Sequence, residues 1–402
     1  MKDVGGSLGA RPGQRFLALD SLRGICALVV ALYHFQTTGW IYTAPIVQNG
    51  FLFVDFFFVL SGFVIARSYG ERLRGGFSIR TFALLRLGRI YPLHFVVLML
   101  FLISELLFAY GAPGFSEREP FTGSYGVGPL IYALLLVQVF FGPTTLKWNA
   151  PSWSIAVEMW TYLLFALAMR WAGRLIVPIC LVVACLAPAY LAATTTAWIA
   201  ATHNGALARC LFGFSAGVLA NAALGRLHLA EGMRHLSGPV ATAVEVAAVI
   251  GVIAFVATTG AEPRSLLAPP LFMAVVLLFA FERGAVSGLL CTRWPVWLGG
   301  LSYSIYLVHE LVQHRFANLL GLAGRLTGTP LVVSVGGSRI VGVGPLFGDL
   351  MSLAMLSTVV ALAWVTYRFV ELPGQRWSRR IALGREWRSG GGEAAEAKAP
   401  TF

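Results

Sequence analysis

Apolar and polar positions follow one another in long blocks along this chain. Apolar runs occupy about residues 22–38, 50–67, 90–110, 153–171, 174–193, 206–223, 238–258, 265–281, 296–316 and 347–370. Each approaches the ~20 residues that carry an α-helix across a ~30 Å hydrocarbon core. A further run, PLIYALLLVQVFFG at 129–142, is too short to cross. The pattern predicts an all-α fold, a polytopic membrane helix bundle of about ten transmembrane helices with one short interfacial or re-entrant helix.

The arginines orient this bundle. Arg11 and Arg15 precede the first run, and Arg67, Arg72, Arg74, Arg80, Arg86 and Arg89 lie between the second and third. Arg170 and Arg174 follow the fourth run, Arg226 and Arg234 the sixth, Arg283 and Arg293 the eighth, and Arg368, Arg376, Arg379 and Arg380 the tenth. With 129–142 left out as a crossing, all of these fall on one side, as the positive-inside rule requires. Both termini are then expected in the cytoplasm. The outer loops become 39–49, 111–152, 194–205, 259–264 and 317–346, the last either a flexible connector or a glycine-rich cover for a substrate. The expected organisation is a cytoplasmic segment 1–18, a membrane domain 19–376 and a cytoplasmic, disordered tail 377–402.

Composition agrees with this reading and narrows it. Hydrophobic residues make up 57% of the 402 and charged residues 12%, against about a quarter charged in a soluble domain. Mean hydropathy is +0.74 and the sequence pI about 9.9. The net charge of +12 does not indicate nucleic acid, because the basic residues flank apolar runs. Cys26, Cys180, Cys185, Cys210 and Cys291 lie in or beside apolar runs without C-x-x-C spacing, which reads as core packing rather than a metal site or disulfide framework. The polar N-terminus lacks the pattern of a cleaved signal peptide.

The first apolar run carries candidate chemistry. In LRGICALVVALYHF, Arg23 and His34 are eleven residues apart, so they share a helix face about 16 Å apart along the axis. Arg23 then stays near the membrane surface while His34 is held deep in the hydrocarbon, where an ionisable group marks function by default. A neutral imidazole there can serve as a general base, and a carboxylate could orient it. Asp55 and Glu158 lie at suitable depths, and Asp20 is expected to pair with Arg23. An interhelical hydrogen bond is the competing role for His34. Arg86 and Arg89, in RLGRIYP, share a face just before the membrane and suit phosphate or pyrophosphate, with anionic lipid headgroups as the alternative partner. In WLGGLSYSIYLVHELV, Ser302, Tyr303, Tyr306, His309 and Glu310 follow at helical spacing, which fits either a cavity that orients a hydroxyl or a helix-to-helix hydrogen-bond network. Glu371, in TYRFVELP, reads as a structural partner for nearby arginines. Nucleotide-binding loops, hydrolase elbows and zinc-protease motifs are absent from the sequence.

Six elements taken in order, LDSLRG with His34, FFFVLSGFVIA, RLGRIYP, WSIAVE, LSYSIYLVH and YRFVELP, resemble the acyltransferase-3 family of integral-membrane acyltransferases. The resemblance runs from about Leu19 to Arg376. It implies an O-acyltransferase of the bacterial inner membrane, with cytoplasmic acyl-CoA, most often acetyl-CoA, as co-substrate and a saccharide or glycolipid hydroxyl as acceptor. No bound cofactor or metal is implied. Carried onto this chain, its motifs fall on Arg23 with His34, Arg86 with Arg89, Trp153 with Ser154 and Glu158, and Tyr303 with Tyr306 and His309. Catalysis is then expected of His34 (as base or acyl acceptor), Glu158, His309 and, from its depth, Asp55; substrate binding is expected of Arg23, Arg86, Arg89, Tyr303, Tyr306, Trp153 and Ser154. Met159 stands where many members carry a second glutamate after Glu158. A transporter or flippase for an anionic lipid-linked sugar is the rival reading, its polar residues lining a pathway.

Overall fold

The computed structural model describes residues 15–111, 119–143, 146–226, 237–335 and 338–388. Helices stand at all ten expected positions: α1 (Leu17–His34), α2 (Phe53–Arg74), α3 (Ile79–Leu106), α4 (Ser152–Ala172), α5 (Ile176–Thr194), α6 (Ala206–Arg226), α7 (Gly238–Thr258), α8 (Ala268–Phe279), α9 (Arg293–Thr327) and α10 (Pro345–Thr366). Among the described residues, seven helical segments are long and apolar enough to cross a membrane, and one of them, Ser152–Thr194, holds both α4 and α5. The other two expected spans differ in kind. α8 is only 12 residues, lengthened by a 3₁₀ turn over Pro263–Leu267. α9 is long, at 35 residues, but its middle carries His309, Glu310, His314 and Arg315. It is the polar wall of the bundle rather than a lipid-facing rod.

Three departures from the sequence expectation have physical causes. The 317–346 connector is neither loose nor a simple loop: α9 takes its first part, and the antiparallel hairpin β1 (Val332–Val335) and β2 (Ser338–Val341) takes most of the rest. The backbone N–H of Val341 donates to Gln36 O and that of Thr38 to Val341 O, so the hairpin clamps the chain just after His34. Residues 377–388 are helical, within α11 (Leu372–Arg388); the rest of the expected tail, like Arg11 and Arg234, lies outside the described residues. The 129–142 run is two short helices, Val127–Leu134 and Gln138–Phe141. Their carbonyls are served by side chains from the bundle: His94 Nε2–H donates to Ala133 O at 2.9 Å and Trp160 Nε1–H to Leu136 O at 3.0 Å. One face of the segment, with Leu130, Ala133, Leu136 and Val139, packs on the bundle, while Ile131, Leu135 and Phe141 are exposed, as fits a short interfacial or re-entrant piece.

Close backbone contact sets the central helices. An added Cβ on Gly299 of α9 would lie 2.3 Å from Asp20 O of α1, and one on Gly24 would lie 2.7 Å from Gly299 N. On the far side, a Cβ on Gly217 of α6 would lie 1.9 Å from Val59 O of α2. Small residues replace side-chain interdigitation where lipid supplies no hydrophobic drive between helices. Contacts Arg23–Ser302 and His34–His309 make α1 and α9 run parallel, so one face of α1 reads against one face of α9 over its full length. Carboxylates cap buried helix starts: Glu282 accepts from Ala18 N–H at 2.9 Å, and Glu245 accepts from the N–H groups of Gly284 and Ser287. The outer faces of α5 and α7 expose Leu181, Val182, Leu186, Ile250 and Ile253, as a lipid-facing surface does.

The α2–α6 contact is open to a direct test. Gly217→Leu has no space unless the helices separate, and its cost should reach or exceed the ~3 kcal/mol upper end of ordinary over-packing. The thermal midpoint of the detergent-solubilised variant should fall well below wild type. An unchanged midpoint would show that α2 and α6 do not approach this closely.

Candidate active site

A cavity of about 190 Å³ opens among α1, α2, α3, α4 and α9. Its lining includes four arginines, Arg15, Arg23, Arg86 and Arg89, against two acids, Asp20 and Glu158. The mouth is therefore net positive, and the geometry says which cations are free to meet a ligand. Arg15 and Arg23 both reach Asp20, at 2.7 and 3.3 Å, and Arg23 Nε–H also donates to Ser302 Oγ at 2.7 Å. Asp20 is the expected partner of Arg23. Arg89 pairs with Glu371, which the π-turn Tyr367–Glu371 between α10 and α11 turns into the interior. Ser304 Oγ–H and Gln375 Nε2–H also donate to Glu371, at 2.7 and 3.2 Å, so its structural reading holds. Arg86 donates to Tyr69 OH at 3.2 Å and keeps a buried Nε without a hydrogen-bond partner. Among the four arginines of the lining, it is the one with a buried donor left unpaired.

Farther in, Tyr162 OH donates to Glu158 Oε1 at 2.7 Å and shares a hydrogen bond with Ser61 Oγ, also at 2.7 Å. Arg86 and Arg89 lie within electrostatic reach of Glu158. Tyr303 OH donates to Ile90 O at 2.6 Å, holding its ring beneath the Arg89 guanidinium. At the inner end, Ser154 Oγ and Tyr306 OH share a hydrogen bond at 2.8 Å, and both reach Pro151 O. The sequence-predicted Arg23, Arg86, Arg89, Glu158, Ser154, Tyr303 and Tyr306 are thus brought to one cavity.

His34 stands beyond its inner end. The His309 ring lies 5.8 Å from that of Tyr306 and 5.0 Å from that of His34, so the three form a row leading out of the cavity. His34 is exposed, whereas Tyr306 and His309 behind it are buried, so it opens onto a crevice beyond the cavity. Among the described residues no carboxylate is hydrogen-bonded to it. Its Nδ1–H donates to Val30 O at 2.9 Å, which leaves the Nε2 lone pair free as base or nucleophile. His309 is fully buried, and the carbonyls nearest its ring, from Ile305 and Tyr306, lie outside hydrogen-bonding geometry.

Two expectations are corrected. Asp55 does not orient a histidine: it is bound from both oxygens by Arg209 of α6, whose Nε and Nη2 donate at 3.0 and 2.8 Å. Trp153 does not line the cavity; its ring lies under the Arg209 guanidinium at 5.2 Å and packs on Phe58. Matching depth along two helices placed Asp55 near His34 in the sequence reading, but azimuth decides contact. Arg209 was overlooked, although a single cation inside LARCLFGF is the same kind of signal as His34. Tyr162, at i+4 from Glu158, was likewise readable from spacing.

The domain family described as an acyltransferase domain, acyltransferase-3, matches residues 16–368. Protein 2 in the picA locus of Rhizobium radiobacter is 31% identical over 172 residues, 40% of this chain and 85% of that protein. Acyltransferase MdmB of Streptomyces mycarofaciens is 36% identical over 167 residues, 39% of this chain and 40% of that protein. No solved structure matches the chain.

The Arg209–Asp55 pair predicts a non-additive stability pattern. Arg209→Met strands a buried carboxylate and should cost about 3–5 kcal/mol. Adding Asp55→Leu should recover much of that loss in thermal stability. Additive losses in the double variant would mean that the two side chains do not depend on each other.

Proposed function

The chain belongs to the acyltransferase-3 family, and from that premise we propose that it moves an acetyl group from acetyl-CoA, bound at the cytoplasmic face, to a hydroxyl of a saccharide or glycolipid on the other side of the bundle. The observation that carries this reading is the single cavity joining the arginine-lined mouth to the Ser154–Tyr306 end, with His34 one ring beyond it. Phosphates of the donor are held by Arg86, with its open Nε, and by the outward edge of Arg89. Arginine grips phosphate bidentately, and the low polarity of the surrounding helices strengthens the contact. The pantetheine arm lies along Tyr303 and Glu158 and, past Tyr306 and His309, brings the thioester to His34. A helix length of roughly 16 Å from Arg23 to His34 is within reach of such an arm.

In the transfer step, Nε2 of His34 takes the proton of the acceptor hydroxyl as its oxygen bonds to the thioester carbonyl carbon. The tetrahedral intermediate then collapses with cleavage of the C–S bond, and the imidazolium returns the proton to the departing thiolate. The hydrogen bond from Nδ1–H to Val30 O keeps the ring in the tautomer this step needs. Tyr306 and His309 flank the path from the cavity to His34 and limit the access of water to the thioester there.

Two measurements test the reading. Purified His34→Ala in liposomes should bind acetyl-CoA as wild type does yet lose acyl transfer by about 10²–10⁴-fold. Substantial transfer by this variant would remove His34 from the chemistry. Arg86→Gln should instead weaken acetyl-CoA binding by roughly 10–100-fold, the loss of one charged hydrogen bond. Equal affinity in wild type and Arg86→Gln would move the phosphate site elsewhere.

A further inference from the structure

A second polar pocket lies where the re-entrant segment meets the turn before α4. Its lining includes Ala133, Gln138, Lys147, Trp148, Asn149 and Ser152. At about 10 Å³ it has room for one oxygen-sized group, close to the ~10–15 Å³ that a water or hydroxyl requires. Its polar atoms are conspicuously unspent. Asn149 is fully buried, and both its Nδ2 and Oδ1 lack a hydrogen-bond partner. Gln138 is 4% exposed; its Nε2 donates to Ser152 O and Oγ, both at 3.2 Å, while its Oε1 has no partner. Buried amides are almost always satisfied, so one donor and two acceptors left open at one point call for an occupant.

The pocket is tied to the catalytic row. Tyr306 OH donates to Pro151 O at 3.2 Å, and the Glu310 carboxylate faces the Ala150 backbone amide. Glu310 follows His309, whose ring lies 5.0 Å from His34. On the other side, Trp148 Nε1–H donates to Gly126 O at 3.0 Å and pins the turn to the re-entrant segment. Asn149 is therefore held firmly, next to the wall that separates the cavity from the His34 crevice.

We propose that Asn149 and Gln138 form a subsite that anchors one hydroxyl of a polyhydroxylated acceptor while another of its hydroxyls reacts at His34. This rests on the acyl-transfer reading above. A hydroxyl both donates and accepts, so it pairs with the open amide atoms on either side, and a vicinal hydroxyl or the Lys147 ammonium at the rim completes the contact. An acceptor bearing one isolated hydroxyl leaves the buried amides unpaired, and the subsite discriminates against it.

The test uses saturation-transfer NMR on the purified full chain with methyl α-D-glucopyranoside, methyl α-D-mannopyranoside and methyl α-L-rhamnopyranoside as probes. Wild type should bind at least one glycoside, and Asn149→Asp should weaken that binding at least fivefold while acetyl-CoA affinity stays within twofold. Asn149 has a φ of 54°, which Asp and Gly both adopt. Asn149→Gly is thus a second variant with the same expected loss, should Asn149→Asp fail to fold. No glycoside bound by wild type, or equal binding by both variants, overturns the subsite and leaves a structural water as its occupant. Labelled acetyl-CoA turnover is measured in parallel: its absence in wild type counts against the acyl-transfer reading, whatever the glycosides do.

Discussion

A polar group drawn inside this bundle must find its partner there, because hydrocarbon offers none and an unpaired one is expensive. Most of the interior obeys that constraint closely. Arg209 spends its donors on Asp55, Phe51 O and Ala201 O. Glu371 takes Arg89, Ser304 and Gln375, and Glu245 takes a whole helix start at Gly284 and Ser287. Even the break in the re-entrant segment is repaired, by His94 and Trp160. Against that background the unpaired atoms stand out. Five side chains among them, Arg86 through its Nε, His309 through both nitrogens, Asn149 through its amide, Gln138 through Oε1 and Glu310 through Oε2, are grouped along the cavity, its inner wall and the small pocket beside it.

The unpaired set also divides by chemistry. The arginine end offers cations, and the opposite end offers mainly neutral donors and acceptors, with Lys147 at the rim. Between them lies the row Tyr306, His309, His34, in which only His34 is accessible. The proposed anionic donor and hydroxylic acceptor would thus meet different ends, with His34 at the division.

The helices were legible in the sequence because lipid imposes a length and a composition on each one, and hydropathy reads both. α9 was legible as the apolar run 296–316, though its full 35 residues and polar middle were not. The hairpin escaped because Val332–Val341 is held by pairing with Gln36 and Thr38, a contact between segments far apart in the chain. In the site, residues read from motifs such as Arg23, Arg86, Glu158 and Tyr306 did converge. What failed was partnership. A sequence shows depth along a helix but not rotation between helices, so Asp55 was assigned to His34 although it faces Arg209. Nor does a sequence announce that the orienting group is a backbone carbonyl, Val30 O. Asn149 gave no local signal, since asparagine before a helix ordinarily reads as a turn.

The glycine contacts bear on how work is done here. With Gly24 against Gly299 and Gly62 and Gly217 against the backbones of the α2–α6 pair, these helices meet like fitted staves. Sliding α1 along α9, or α2 along α6, would press backbone on backbone before any side chain could give way. On the acyl-transfer reading proposed above, the travel then belongs to the flexible arm of the substrate, and the protein's contribution is a sleeve of fixed length.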